Sequence, residues 1–162
     1  LPRELPYKDA VYNVSRVGLL PAAMNPVVLA QAAQQGKSGV AAAPAQDADT
    51  CACAGGTRES AFADELAAAQ AQSNALLFTA TQDKLHQPYR GALMPPSTEL
   101  IALFRSKGYA AAVSGAGPCV LVLHYGNARE AIDQIASEQL ASGHWRVLHL
   151  PINTAGVEIE RR

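Results

Sequence analysis

Cysteine is scarce, with three in 162 residues. An odd number cannot close into a disulfide framework. A chain of this length can bury roughly 68–70% of its unfolded surface and needs no such staples, so a reducing compartment is the simpler expectation. A dominant charge is also lacking: 13 basic residues against 14 acidic ones leave a formal net charge of −1. That balance offers neither nucleic acid nor an anionic membrane a long-range attraction, although it leaves room for a local cationic pocket. No apolar run reaches the roughly 18–20 residues of a membrane span. The nearest, Tyr109 to Tyr125, is broken by Ser114, Gly115, Gly117 and Pro118. No secretory signal pattern opens the chain. It starts Leu1-Pro2-Arg3 rather than with methionine, so the terminus is expected not to be a translation start, with further sequence upstream. What is present is an ordinary globular composition, 49% apolar, of single-domain length and without an internal repeat.

The apolar spacing from Asp9 to about Gly36 predicts helix, with Asp9 as cap and Val11, Val14 and Val17 in the first part. Pro21 and Pro26 predict a kink or two helices in series. Residues 37–59 are rich in small residues, Pro, Gly and Asp and carry almost no large apolar side chain, which predicts a mobile surface insertion. Helix is predicted again from Ser60, with Phe62, Leu66 and Ala69 on one face, and from Leu76 to about Leu85. Residues 86–96 read as a loop because of Pro88, Pro95 and Pro96. Ser97 is then expected to cap a helix that turns Leu100, Ile101, Leu103 and Phe104 inward and stops at Gly108. Strands are predicted at Tyr109–Ser114 and Cys119–His124, joined by the turn Ser114-Gly115-Ala116-Gly117-Pro118. Asn127 and Glu130 resemble a capping box, opening a helix that buries Ile132, Ile135, Ala136 and Leu140 and ends at Gly143. Trp145–Leu150 alternates like a further strand. Together these predict an α+β fold close to the split βαβ of ferredoxin-like domains, an antiparallel sheet with helices packed on one face.

Few motifs survive scrutiny. Gly36-Lys37-Ser38 ends like a phosphate-binding P-loop, but position 31 is Gln rather than Gly, and a loop rather than a helix is expected to follow. Gly115-Ala116-Gly117 starts like a dinucleotide fingerprint, yet its third position is Val120 and a strand follows. Cys51-Ala-Cys53 has no second pair or histidine cluster to complete a zinc site. His124 and His149 fall in strand candidates and read as packed polar residues rather than catalysts. Two places remain. The glycine turn is either a plain tight turn or one whose bare amides line a small-molecule site. Arg90, in the proline-fixed stretch His86-Gln87-Pro88-Tyr89-Arg90, either caps a surface loop or offers its fork to a substrate carboxylate.

Three blocks, Tyr7-Lys-Asp-Ala-Val-Tyr-Asn-Val-Ser-Arg16, Asp83-Lys-Leu-His-Gln-Pro-Tyr-Arg90 and Ser114-Gly-Ala-Gly-Pro118, resemble homoserine kinases of the GHMP kinase superfamily. Their order and spacing fit the C-terminal half of that family, and the resemblance covers nearly the whole chain outside 37–59. It implies a GHMP-kinase C-terminal domain spanning residues 1–162. It also implies ATP-dependent phosphorylation of the L-homoserine hydroxyl to O-phospho-L-homoserine, a cytoplasmic step of threonine biosynthesis. By the resemblance, Arg90 matches the arginine that grips homoserine and Gly115 a glycine that contacts it. The turn of Ser114, Ala116 and Gly117 would lie against the phosphate loop of the N-terminal half. ATP and Mg2+ would be held mostly outside this chain, which carries no implied catalytic residue or metal ligand. No nucleic acid or membrane is implied, and a homodimer is allowed. The family's Pro-x-x-x-Gly-Leu-Gly-Ser-Ser-Ala loop does not occur here. The chain alone is therefore expected to be inactive, because phosphoryl transfer depends on positioning the phosphates and Mg2+. The alternative is a non-catalytic, ferredoxin-like amino-acid-binding module.

Overall fold

The computed structural model describes residues 1–25, 55–150 and Ile159, and of residues 55–62 only the backbone. The expected helix end at Gly36, the Gly36-Lys37-Ser38 tripeptide, Cys51, Cys53 and the 37–54 part of the expected insertion lie outside these residues. The chain forms two compact units, Leu1–Gly126 and Asn127–Arg162.

The first unit opens with α1 (Tyr7–Val17) and α2 (Leu20–Ala23). Pro6, not Asp9, occupies the N-cap position of α1. Asp9 sits in the first turn, where a negative charge still suits the helix dipole. Within the described residues the chain runs as two helices in series, as expected at Pro21; Pro26 lies outside these residues. The break falls before Pro21, because proline fits the first turn of a new helix. α3 (Gly55–Ala80) is one helix of 26 residues. Gly55–Glu59, expected in the insertion, open it, and the two predicted pieces are continuous. Its Leu66 is exposed. α4 (Gln87–Gly91) occupies part of the expected loop, and α5 (Pro95–Ser106) follows. In both, the prolines lie at the first helical positions, where the missing N–H would have no intrahelical partner, so they start helices rather than forbid them. Met94 holds the N-cap position of α5, and Ser97 lies one turn in.

β1 (Ala110–Val113) and β2 (Val120–Leu123) form an antiparallel pair in the register Ala110↔Leu123 to Val113↔Val120. Among the described residues this is the whole sheet, so the architecture is helix-rich α+β. The alanines of β1 let helices approach closely. Ala110 packs with Ala23 and Leu77, and Ala111 is fully buried. Leu100, Ile101 and Phe104 on one face of α5 complete the core, each contributing about 1.5–3 kcal/mol by burial. Arg105 ties the elements together. Its Nη2 donates to Phe78 O at 2.7 Å, and Nη1 donates to Ala111 O at 3.0 Å and Thr81 Oγ1 at 3.2 Å. The guanidinium lies 4.2 Å from the centre of the Phe78 ring.

The second unit holds α6 (Arg129–Ile135) and α7 (Ser137–Ala141), divided at Ala136. Ala128 takes the N-cap position of α6 without a side-chain bond, so the Asn127–Glu130 capping box does not form. Ala136 is buried, while Ile132, Ile135 and Leu140 are only partly so. Trp145–Leu150 is not a strand. Alternation becomes a strand only where a neighbour accepts its amides and covers one face. Here Leu148 and Leu150 are exposed, and the segment is held instead by His149 Nε2, 3.0 Å from Asp133 Oδ1.

Candidate functional site

The structure brings the two sequence candidates together. Arg90 leaves the last turn of α4, and its Nη1 lies 3.5 Å from Ala116 O in the turn between β1 and β2. Among the described residues the guanidinium has no acidic partner within ion-pair distance. In the turn, Ser114 N donates to Cys119 O at 2.9 Å and Gly117 N to Ser114 O at 3.1 Å. The amides of Gly115 and Ala116 have no acceptor among the described residues. Ser114, Gly115 and Ala116 are exposed. A cation thus stands beside a turn with two free amides, groups of a kind that suit a carboxylate oxygen.

Two clefts meet at Arg90. One, of about 270 Å³, is lined by Asp83, His86, Gln87 and Gly115, with Val17 and Leu20 as an apolar wall. The other, of about 550 Å³, is lined by Leu93, Met94, Ala116, Gly117 and Pro118. His124 lies away from both, against Tyr109 and Asn74.

The glycines of the turn differ in their surroundings. Gly115 has φ +60° and open space where a Cβ would point. Gly117 has φ +85°, and a Cβ there would stand 2.6 Å from Met94 Sδ and 3.2 Å from Val113 Cγ1. Gly117→Ala is therefore expected to destabilise by about 2 kcal/mol, strain and crowding together, and Gly115→Ala by about 1 kcal/mol. Thermal melts of both variants check this; equal losses would show that Met94 simply moves aside.

Sequence reasoning missed the groups that hold the site in place. Ser97, buried in α5, donates to Pro118 O at 2.6 Å and pins the far end of the turn. Gln87 Oε1 accepts from Val113 N at 3.2 Å. Asp83 accepts from Asn13 Nδ2 and from the amides of Leu85, His86 and Gln87. An Asp shortly before a proline-started turn is a capping signal that could have revealed it. Burial alone would push the Asp83 carboxyl up; the bonds from Asn13 and from the amides of Gln87, Leu85 and His86 outweigh it and hold the carboxyl below the usual range. A carboxyl lowered on folding stabilises the protein above its unfolded value, about 3.9, and loses that contribution as pH falls through the folded value. Urea midpoints measured from pH 6 downward are expected to fall below about pH 4, and to fall less in Asp83→Asn. Identical pH profiles would show that Asp83 carries none of this dependence.

Residues 60–141 match the family model described as GHMP kinases C terminal. The chain belongs to the GHMP kinases and contains their C-terminal domain. It is 37% identical over 161 residues to a homoserine kinase of Clavibacter michiganensis subsp. michiganensis, covering 98% of this chain and 36% of that protein. It is 37% identical over 162 residues to a homoserine kinase of Leifsonia xyli subsp. xyli, covering 99% and 35%. A homoserine kinase of Corynebacterium aurimucosum is 45% identical over 86 residues, 53% of this chain and 26% of that protein. The chain thus spans about a third of the length of the first two relatives.

The family implies ATP and Mg2+, and the side chains of the described residues do not fit a site for the Mg2+. No group of three His, Cys, Asp or Glu side chains converges among them. Asp83, the one carboxylate among the residues lining the clefts, has both oxygens engaged by Asn13 and three amides. No described helix is long and apolar enough to cross a membrane.

Proposed function

We propose that this chain is the C-terminal part of a homoserine kinase, a cytoplasmic enzyme that transfers phosphate from ATP to the hydroxyl of L-homoserine in threonine biosynthesis. Its task there is to hold the amino acid. The observation that supports this best is the placement of Arg90, free of any described acidic partner, against Ala116 O in the turn whose Gly115 and Ala116 amides are unpaired among the described residues. The guanidinium takes the substrate carboxylate, and the bare backbone at Gly115 lets it approach without a side chain in the way. The relatives named above are homoserine kinases, and the resemblance of the three sequence blocks points the same way. The phosphates and Mg2+ are held mostly by the part of the enzyme outside this chain.

The test uses two proteins, the purified chain and a complete enzyme. The latter is the Clavibacter michiganensis homoserine kinase with this chain in place of its aligned third. An ADP-release assay is expected to show no turnover of L-homoserine above background by the chain alone, and turnover by the complete enzyme. The complete enzyme should not accept 3-aminopropan-1-ol, which keeps the hydroxyl and lacks the carboxylate. Turnover by the chain alone would refute the partial-enzyme reading, and equal use of the two alcohols would refute the carboxylate site.

A further inference from the structure

We infer that Asp83 is a positioning residue for Arg90, anchored from α1 by Asn13; this rests on the reading of Arg90 as the carboxylate-binding group. α4 has five residues, too few to hold a direction on its own. Its start is fixed by the Asp83 carboxylate. Oδ1 accepts from Leu85 N at 2.8 Å, while Oδ2 accepts from His86 N at 3.0 Å and Gln87 N at 2.6 Å. The same His86 carries Arg90, whose N donates to His86 O at 2.9 Å. One residue therefore links the carboxylate to the arginine across a single turn.

Asp83 is itself held from a distant part of the chain. Asn13 Nδ2 donates to Asp83 Oδ1, and Asn13 Oδ1 accepts from Lys84 N at 2.9 Å. Beside it, the Tyr12 hydroxyl donates to Gln82 Oε1. The Tyr12 ring meets two cations, its centre 4.4 Å from the Arg16 guanidinium and 4.1 Å from Lys84 Nζ. On the other side, Gln87 ties α4 to Val113, next to the glycine turn. α4 is thus fixed to α1 and to the end of β1 at its start, and it presents the guanidinium to Ala116 at its other end. Without Asp83 three amides lose their acceptor, and Arg90 keeps its charge but not its place. A displacement of roughly 1 Å can cost 10²-fold in a reaction that depends on placement.

The experiment is a double-mutant cycle in the complete enzyme, with Asp83→Ala, Arg90→Ala and the pair. Asp83→Ala is expected to raise the homoserine KM roughly tenfold and to leave the ATP KM within about twofold; on the Arg90→Ala background it should add less than about threefold, since there is no arginine left to place. Equal increments on both backgrounds, or equal rises for both substrates, would overturn the positioning role. An unchanged homoserine KM in Arg90→Ala is a different pattern. It removes the carboxylate reading itself, and the positioning role with it. If circular dichroism shows that Asp83→Ala does not fold, Asn13→Ala replaces it, removing the anchor and leaving the three amide bonds. The same non-additivity, smaller in size, is expected, and additivity overturns the inference.

Discussion

Replacing Arg90 by Lys in the complete enzyme is expected to raise the homoserine KM substantially and leave the ATP KM nearly unchanged. Lysine keeps the charge but offers one rotating ammonium where arginine offers two parallel donors. Arg90→Ala should cost more, about 2–4 kcal/mol in kcat/KM for homoserine, because the carboxylate is then left without its partner. The site's geometry makes the loss selective. Arg90 stands at the junction of the two clefts, and the long contact to Ala116 O is the only described hydrogen bond of its side chain. It holds no core element in place, so its removal should alter stability little. Steady-state kinetics with each substrate varied in turn, beside a thermal melt, separates the outcomes. Equal KM shifts for both substrates, or a drop in Tm with none, would return Arg90 to the role of a loop cap.

Arg105→Ala should act on stability. That guanidinium serves the carbonyls of Phe78 and Ala111 and the Thr81 hydroxyl, and it lies on the Phe78 ring. Truncation leaves the end of α3 and the start of β1 short of donors at a half-buried position, an expected loss of about 2–4 kcal/mol. Arg105→Lys should recover only part, since one ammonium cannot reach both carbonyls in the arginine's geometry. Urea unfolding of the chain measures both. A loss under about 1 kcal/mol for Arg105→Ala would mean that water replaces the guanidinium without cost.

Local patterns in the sequence carried much of this architecture. The hairpin was legible because Ala110–Val113 and Val120–Leu123 flank a Gly-Ala-Gly-Pro turn. The inward face of α5 followed from Leu100, Ile101 and Phe104 at helical spacing. Arg90 and Gly115 could be singled out because a guanidinium after a fixed proline, and glycines between strands, are suited to binding by their chemistry alone. The prolines were misread at α4 and α5, since the same residue that breaks a helix in its interior starts one at its first turn. Trp145–Leu150 had the alternation of a strand and no ladder to join. The contacts of Asn13 with Asp83 and of Ser97 with Pro118 were beyond reach. They are made by ordinary polar residues whose meeting depends on tertiary packing, not on any local pattern.

The separation of Asn13 from Asp83, 70 positions, also has a consequence in time. A ribosome adding about 5–20 residues per second makes α1 some 4–14 s before it makes the carboxylate that α1 anchors. The hairpin waits for nothing comparable, since its strands are nearly adjacent in the chain. During synthesis α1 therefore leaves the ribosome with Val11, Val14 and Val17 uncovered, and none of these is buried even in the finished unit. The Asn13–Asp83 contact thus closes only well after α1 is made, and α1 keeps an apolar face open in the interval.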